Sequence, residues 1–152
     1  MQRTHFMVRS KGYSAVEQLN FLKATYKDSK GTVSRGTLVW YLDIQPLAIN
    51  GTYRLKITYK MGEFPHAYIA SPKPLPLAKG ATKLPHTYDT KTQQLCLFYP
   101  KFREWDKTMK IAETIVHWAA LWIVYYESWV LTGVWQGGGH GEWDAPKESP
   151  KM

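Results

Sequence analysis

The chain has a single thiol, Cys96, set in the apolar run Leu95-Cys96-Leu97-Phe98. The flanks argue for a quiet core residue, because free cysteines are often buried and apolar surroundings raise a thiol's pKa. Its position argues the other way, since it follows a long proline-containing stretch and His86 stands ten residues before it. A thiolate is the strongest nucleophile among ordinary side chains and can hold an acyl group as a thioester. The residues alone leave both readings open.

Other groups could serve such a thiol. His140 follows the triple glycine 137–139, which would let the backbone fold tightly against a site. Its imidazole titrates near neutral pH and could take a proton from the thiol or from an incoming amine; the plain alternative is a solvated loop histidine. Glu127 lies among Tyr125, Tyr126 and Trp129. It either orients a lysine or histidine or pairs with a surface lysine. His66 and His117 read as structural. The spacings of His86, Cys96, His117 and His140 match no paired-ligand metal motif, so no metal and no cofactor is expected. A cysteine hydrolase using Cys96, His140 and Asp144 ranks last, because papain-like nucleophiles start a helix whereas Cys96 sits in a loop or short strand.

The elements that must position these groups are legible in part. Ser14 and Glu17 have capping-box spacing, and Ala15, Leu19, Leu22 and Tyr26 follow at helical period. Residues 28–36 read as a turn-rich connection. "TLVWYLDI" from Thr37 and "YRLKITYK" from Tyr53 alternate as strands, with Asn50-Gly51 as a hairpin signal between them. "AYIAS" supplies a third strand. Residues 71–92 carry four prolines and no sustained period, the mark of a long functional loop. Beyond Trp105, Ile111, Ile115, Trp118, Trp122, Tyr125 and Trp129 follow a helical period, predicting a helix buried on most sides or used as a subunit interface.

Composition narrows the class. The 152 residues suit one domain, expected over 1–140 with a disordered tail over 141–152. The lone cysteine excludes an intramolecular disulfide, and the amino terminus has no apolar leader, so a cytoplasmic location is expected. The apolar segment Thr114–Tyr126 is bounded by Glu113 and Glu127, short of the roughly 18 uncharged residues of a membrane span. The net charge of +8 is dispersed, favouring a solvated basic surface or an acidic protein partner over nucleic acid. Aromatic residues crowded between Trp118 and Trp135 point to a homodimer.

The order of helix, antiparallel meander, Phe64-Pro65 turn, long loop, His86, Cys96, Trp105 and helix resembles the ubiquitin-conjugating, or E2, fold. In that family a His-Pro-Asn motif places its histidine ten residues before the cysteine, and a tryptophan follows nine residues after it; "HTYDTKTQQLCLFYPKFREW" reproduces both intervals. "LCLFYP", "TIVHWAALWIVYYESW" and "GVWQGGGH" resemble the prokaryotic E2-like branch found in bacterial antiphage operons of the CBASS type, beside a cGAS-like nucleotidyltransferase (CD-NTase) synthase. The resemblance runs from Ser14 to Tyr126.

It implies an α+β, E2-like (UBC) fold with a buried tryptophan-rich C-terminal helix, and a transferase in which Cys96 carries a partner's carboxyl terminus as a thioester and passes it to an amine. The partner implied is the cGAS-like synthase or a ubiquitin-like protein, with an E1-like enzyme as a source of the activated donor. His86 would organise the loop, and Trp105 and Glu127 would stand on the substrate side. The family's Pro and Asn are replaced by Thr87 and Tyr88. Either the Tyr88 hydroxyl or a backbone N–H then supports the oxyanion, or Tyr88 is loop packing. A rival reading is a non-catalytic adaptor of the same fold. The enzyme reading expects an exposed thiol, and the adaptor reading a buried one.

Overall fold

The computed structural model describes residues 12–47 and 51–137. The first helix, α1, spans Ala15–Thr25 and begins with the expected capping box: Ser14 Oγ accepts the Glu17 N–H at 3.1 Å and Glu17 Oε1 accepts the Ser14 N–H at 2.8 Å. Its buried face, Ala15, Gln18, Leu19 and Leu22, includes one polar group. Gln18 resolves its own burial by donating to the Met109 carbonyl and accepting from the Ile111 N–H, each at 2.9 Å. A fully satisfied buried amide of this kind fixes the register between distant segments.

The connection expected at 28–36 contains a strand. β1, Lys30–Ser34, pairs antiparallel with β2, Thr37–Ile44, and Ser34 faces Thr37 across the tight turn at Arg35 and Gly36. Both turn residues have positive φ, 53° and 78°, the geometry that matches strand twist in two-residue hairpins. No residue of this edge strand is fully buried, so it lacks an apolar alternation to read.

β2 buries Leu38, Trp40 and Leu42, while β3, Tyr53–Lys60, buries Tyr53, Leu55, Ile57 and Tyr59. The two pair from Thr37↔Lys60 to Ile44↔Tyr53, so their connection is residues 45–52, longer than a two-residue turn; Asn50 lies outside the described residues. β4, His66–Ser71, follows antiparallel to β3.

The stretch read as a long ordered loop over 71–92 contains a short strand near its end. Thr87–Asp89 (β5) and Gln94–Leu95 (β6) form a small hairpin, and β6 pairs with β4, giving the sheet order β1-β2-β3-β4-β6-β5. Gln93, buried with φ 58°, locks this hairpin in place. Its amide donates to the Ile69 and Pro72 carbonyls at 2.9 and 3.0 Å and accepts from the Leu75 N–H at 2.7 Å. Side-chain bonds of this sort replace the strand periodicity that the sequence lacks.

The second helix, α2, spans Ile115–Thr132, with Ile111–Glu113 as a separate 3₁₀ turn before it. It ends where Gly133 takes φ 80° and donates its N–H to the Trp129 carbonyl at 2.7 Å. Trp122, Tyr126 and Trp129 are all buried within the chain. Part of the aromatic crowding that pointed to a homodimer is thus taken up by this chain's own core, while Trp118, Tyr125 and Trp135 are only partly buried. No helix among the described residues is long and apolar enough to cross a membrane. The structure is thus α+β, an antiparallel sheet with a helix following it at the C-terminal side; the tail expected over 141–152 lies outside the described residues.

Candidate active site

The β5–β6 hairpin brings together two residues that the sequence separates by ten. The Cys96 N–H donates to the His86 carbonyl at 3.0 Å, and the indole N–H of Trp122, on α2, donates to the same oxygen at 3.1 Å. His86 has φ 50°, a left-handed conformation that turns its carbonyl toward both donors. Its ring is buried and stacks on Trp135 at 4.8 Å between centroids and 27° between planes. His86 thus meets its neighbours through its backbone carbonyl and its ring face.

Cys96 is 4% exposed. That is the burial expected by the adaptor reading, against the exposed thiol expected by the enzyme reading. Its Sγ lies 4.0 Å from the Phe98 carbonyl, and the Tyr88 hydroxyl shares a hydrogen bond with the Cys96 side chain. The same hydroxyl lies 3.4 Å from the Phe98 oxygen. Partial desolvation first, and then the neighbouring Cys96, raise the Tyr88 phenol above its ordinary pKa of 10.0 although the residue is 48% exposed, so it remains a protonated donor across the physiological range. Tyr88 stands where a hydrogen bond to a charged sulfur or to an oxyanion can be made.

Cys96 and His86 line a cavity of about 470 Å³ together with Trp118, Trp122, Tyr125, Trp135, Leu97 and Leu121. The single carboxylate in the wall is Glu104, whose Oε1 accepts the Tyr99 N–H at 2.9 Å. Nothing in "KFREW" marks Glu104 in the sequence as part of the cavity wall. Tyr88 lines a second cavity, of about 410 Å³, with Phe64, Pro65, His66 and Phe98; Leu97 is common to both.

Two sequence candidates fall elsewhere. Trp105 is 2% exposed, packs on Tyr59 and Phe98, and donates its indole N–H to Thr114 Oγ1 at 3.0 Å. Glu127 is buried and accepts the Tyr53 hydroxyl at 2.7 Å, tying α2 to β3. Neither lines the Cys96 cavity, because each turns into the core between sheet and helix. His140 and Asp144 lie outside the described residues. Among the described residues no three His, Cys, Asp or Glu side chains converge to hold a metal ion.

No curated protein matches this chain. A family model described as Type II CBASS E2 protein matches residues 18–142, which include the whole of the hairpin, the thiol and α2. The span covers most of the sequence and every residue of the site just described. The chain belongs to the Type II CBASS E2 protein family and is an E2-like protein of that antiviral defence system.

Proposed function

We propose that this protein is a conjugating transferase in which Cys96 carries the carboxyl terminus of a partner as a thioester and delivers it to an amine. The observation that supports it most is the pairing of the chain's only thiol with the Tyr88 hydroxyl beside a cavity, in a member of an E2 family. In the first step the Cys96 thiolate attacks the activated carbonyl of the donor, a C–S bond forms, and the donor's leaving group departs. In the second an amine attacks the thioester carbonyl, a C–N bond forms, the C–S bond breaks, and the amine proton passes to a base. Each step passes through a tetrahedral oxyanion, to which Tyr88 donates in place of the family's asparagine.

The donor in this reading is the cGAS-like synthase of the operon or a ubiquitin-like protein, activated by an E1-like enzyme. The test is intact-protein mass under non-reducing conditions after incubation with synthase, ATP and Mg²⁺. A partner-sized adduct that hydroxylamine removes, and that Cys96→Ala lacks, supports the reading. The second reading, a non-catalytic adaptor, is favoured by the 4% exposure of Cys96. It takes over if the two proteins co-purify and no adduct forms. Self-association through the exposed Leu121 and Leu131 of α2 is compatible with either reading.

A further inference from the structure

A nucleophile must be reached, and Cys96 is almost wholly covered. One wall of the cavity that Cys96 lines comes from the segment that follows α2. At Gly133 the chain reverses out of the helix, and residues 134–137, which belong to no helix or strand, run back along it. Trp135 stacks on His86, lies tilted against Trp122 at 5.8 Å, and meets Tyr125 edge-on at 5.8 Å. All three partners line the same cavity as Cys96, and so does Trp135 itself. Gly137 then presses its backbone onto the Tyr125 ring so closely that a Cβ there would overlap the ring carbons.

We infer that residues 133–137 form a strap whose Trp135 indole supplies a removable wall of the Cys96 cavity, and that the seat it occupies is a binding site for an aromatic side chain of the incoming protein. Three features carry this. The contacts that hold Trp135 in the site are ring contacts on a short tether outside regular structure, the kind of element that opens locally at low free energy. The His86 ring on which the indole stacks belongs to the residue whose carbonyl anchors Cys96, so the indole and the thiol share a mounting. The seat also displays its own ligand chemistry, with a flat ring sandwiched by an imidazole face, an indole and a phenol edge. An aromatic side chain offered by a partner makes the same contacts, and its arrival lifts the strap. The inference rests on Cys96 being the reacting group of the conjugation reading.

The experiment is the rate of Cys96 alkylation by iodoacetamide in the full chain, which needs neither partner nor ATP. Trp135→Ala should react at least about tenfold faster than wild type, because an open state populated at roughly 10% or less limits the wild-type rate. Free indole at millimolar concentration should return that variant toward the slow rate by refilling the seat. Gly137→Ala, which lifts the end of the strap and keeps the indole, should also react faster; it carries the test if Trp135→Ala loses its native circular dichroism. Val134→Ala, exposed on the same strap, should react like wild type. Wild-type rates in both Trp135→Ala and Gly137→Ala overturn the strap, as does equal acceleration by Val134→Ala, and a fast variant that indole does not slow overturns the aromatic seat. Rapid alkylation of Trp135→Ala with no partner adduct would instead count against the conjugation reading and leave the strap standing.

Discussion

The amide of Cys96 is held by the carbonyl of His86 at 3.0 Å, and that carbonyl is turned into place by a left-handed backbone at His86. The histidine thus serves the thiol through a main-chain atom, and the consequence for mutagenesis is specific. His86→Asn, which tolerates positive φ, should keep the hairpin and retain the Cys96 adduct. His86→Val should lose about 1–3 kcal/mol, because a β-branched side chain is strained in that region. Urea unfolding of the two variants measures the difference; equal losses would show that the imidazole and not the backbone matters.

Trp122 holds the other side of the same carbonyl. Trp122→Phe removes the indole N–H that reaches His86 at 3.1 Å while keeping a ring beside Tyr126, with which it stacks at 5.4 Å. The expected loss is about 0.5–1.5 kcal/mol for the hydrogen bond, with some added cost for reduced packing. Hydrogen exchange at the Cys96 amide should speed up in this variant more than exchange in β2. A uniform change across the sheet would contradict a local role.

Tyr88 bears on reactivity. Its hydroxyl bonds the Cys96 side chain, and as a donor it favours the thiolate over the thiol. In Tyr88→Phe the pH midpoint of Cys96 alkylation should therefore move upward, with the limiting rate at high pH little changed. An unmoved midpoint would assign Tyr88 to packing alone.

The buried pair Glu127 and Tyr53 should matter to stability and not to transfer. Tyr53→Phe removes the donor at 2.7 Å and leaves the Glu127 carboxylate in the core without it, an expected loss of about 1–3 kcal/mol in urea unfolding. Adduct formation at Cys96 should persist under conditions where the variant is folded. Loss of transfer from a folded Tyr53→Phe would return Glu127 to the substrate side, where the sequence had placed it.

Several phenols titrate above their ordinary value of 10.0: burial raises Tyr26, Tyr53, Tyr59 and Tyr126, the last to about 12, with the neighbouring Glu127 adding to the rise at Tyr53 and Tyr126. A raised pKa means that the folded state favours the protonated form. The associated stability is fully present below pH 10 and is lost as pH rises through the folded values. Unfolding free energy measured by urea titration should fall from about pH 10 upward. A flat profile between pH 9 and pH 12 would show that these phenols are hydrated in the folded protein.

What was legible in the sequence were the elements with a period. The capping box of Ser14 and Glu17, the alternation in β2 and β3, and the long apolar stripe of α2 all announce themselves through side chains that face one core. β1 was missed because it is a polar edge strand made by a turn at Arg35 and Gly36, and β5 and β6 were missed because five residues of strand carry no period. The site shows the same division. The interval between His86 and Cys96 carried the family resemblance, yet Trp122 as the carbonyl's second donor and Glu104 and Trp135 in the cavity wall depend on contacts between distant segments. Trp105, singled out by its interval after Cys96, and Glu127, singled out by its aromatic surroundings, are both buried, which neither the interval nor the residue type announces.

The most direct test of acyl transfer through Cys96 is the trapping of the intermediate on Cys96→Ser. A serine ester is chemically stable to thiol reductants where a thioester is exchanged by them. After incubation with the synthase, ATP and Mg²⁺, and with any E1-like enzyme of the operon present, the variant should carry a partner-sized adduct that survives reductant and maps by peptide mass to position 96. A wild-type adduct that reductant removes, with no adduct on Cys96→Ala, completes the expected set. If wild type and Cys96→Ser both remain unmodified while binding the synthase, Cys96 is a structural residue and the protein acts as an adaptor.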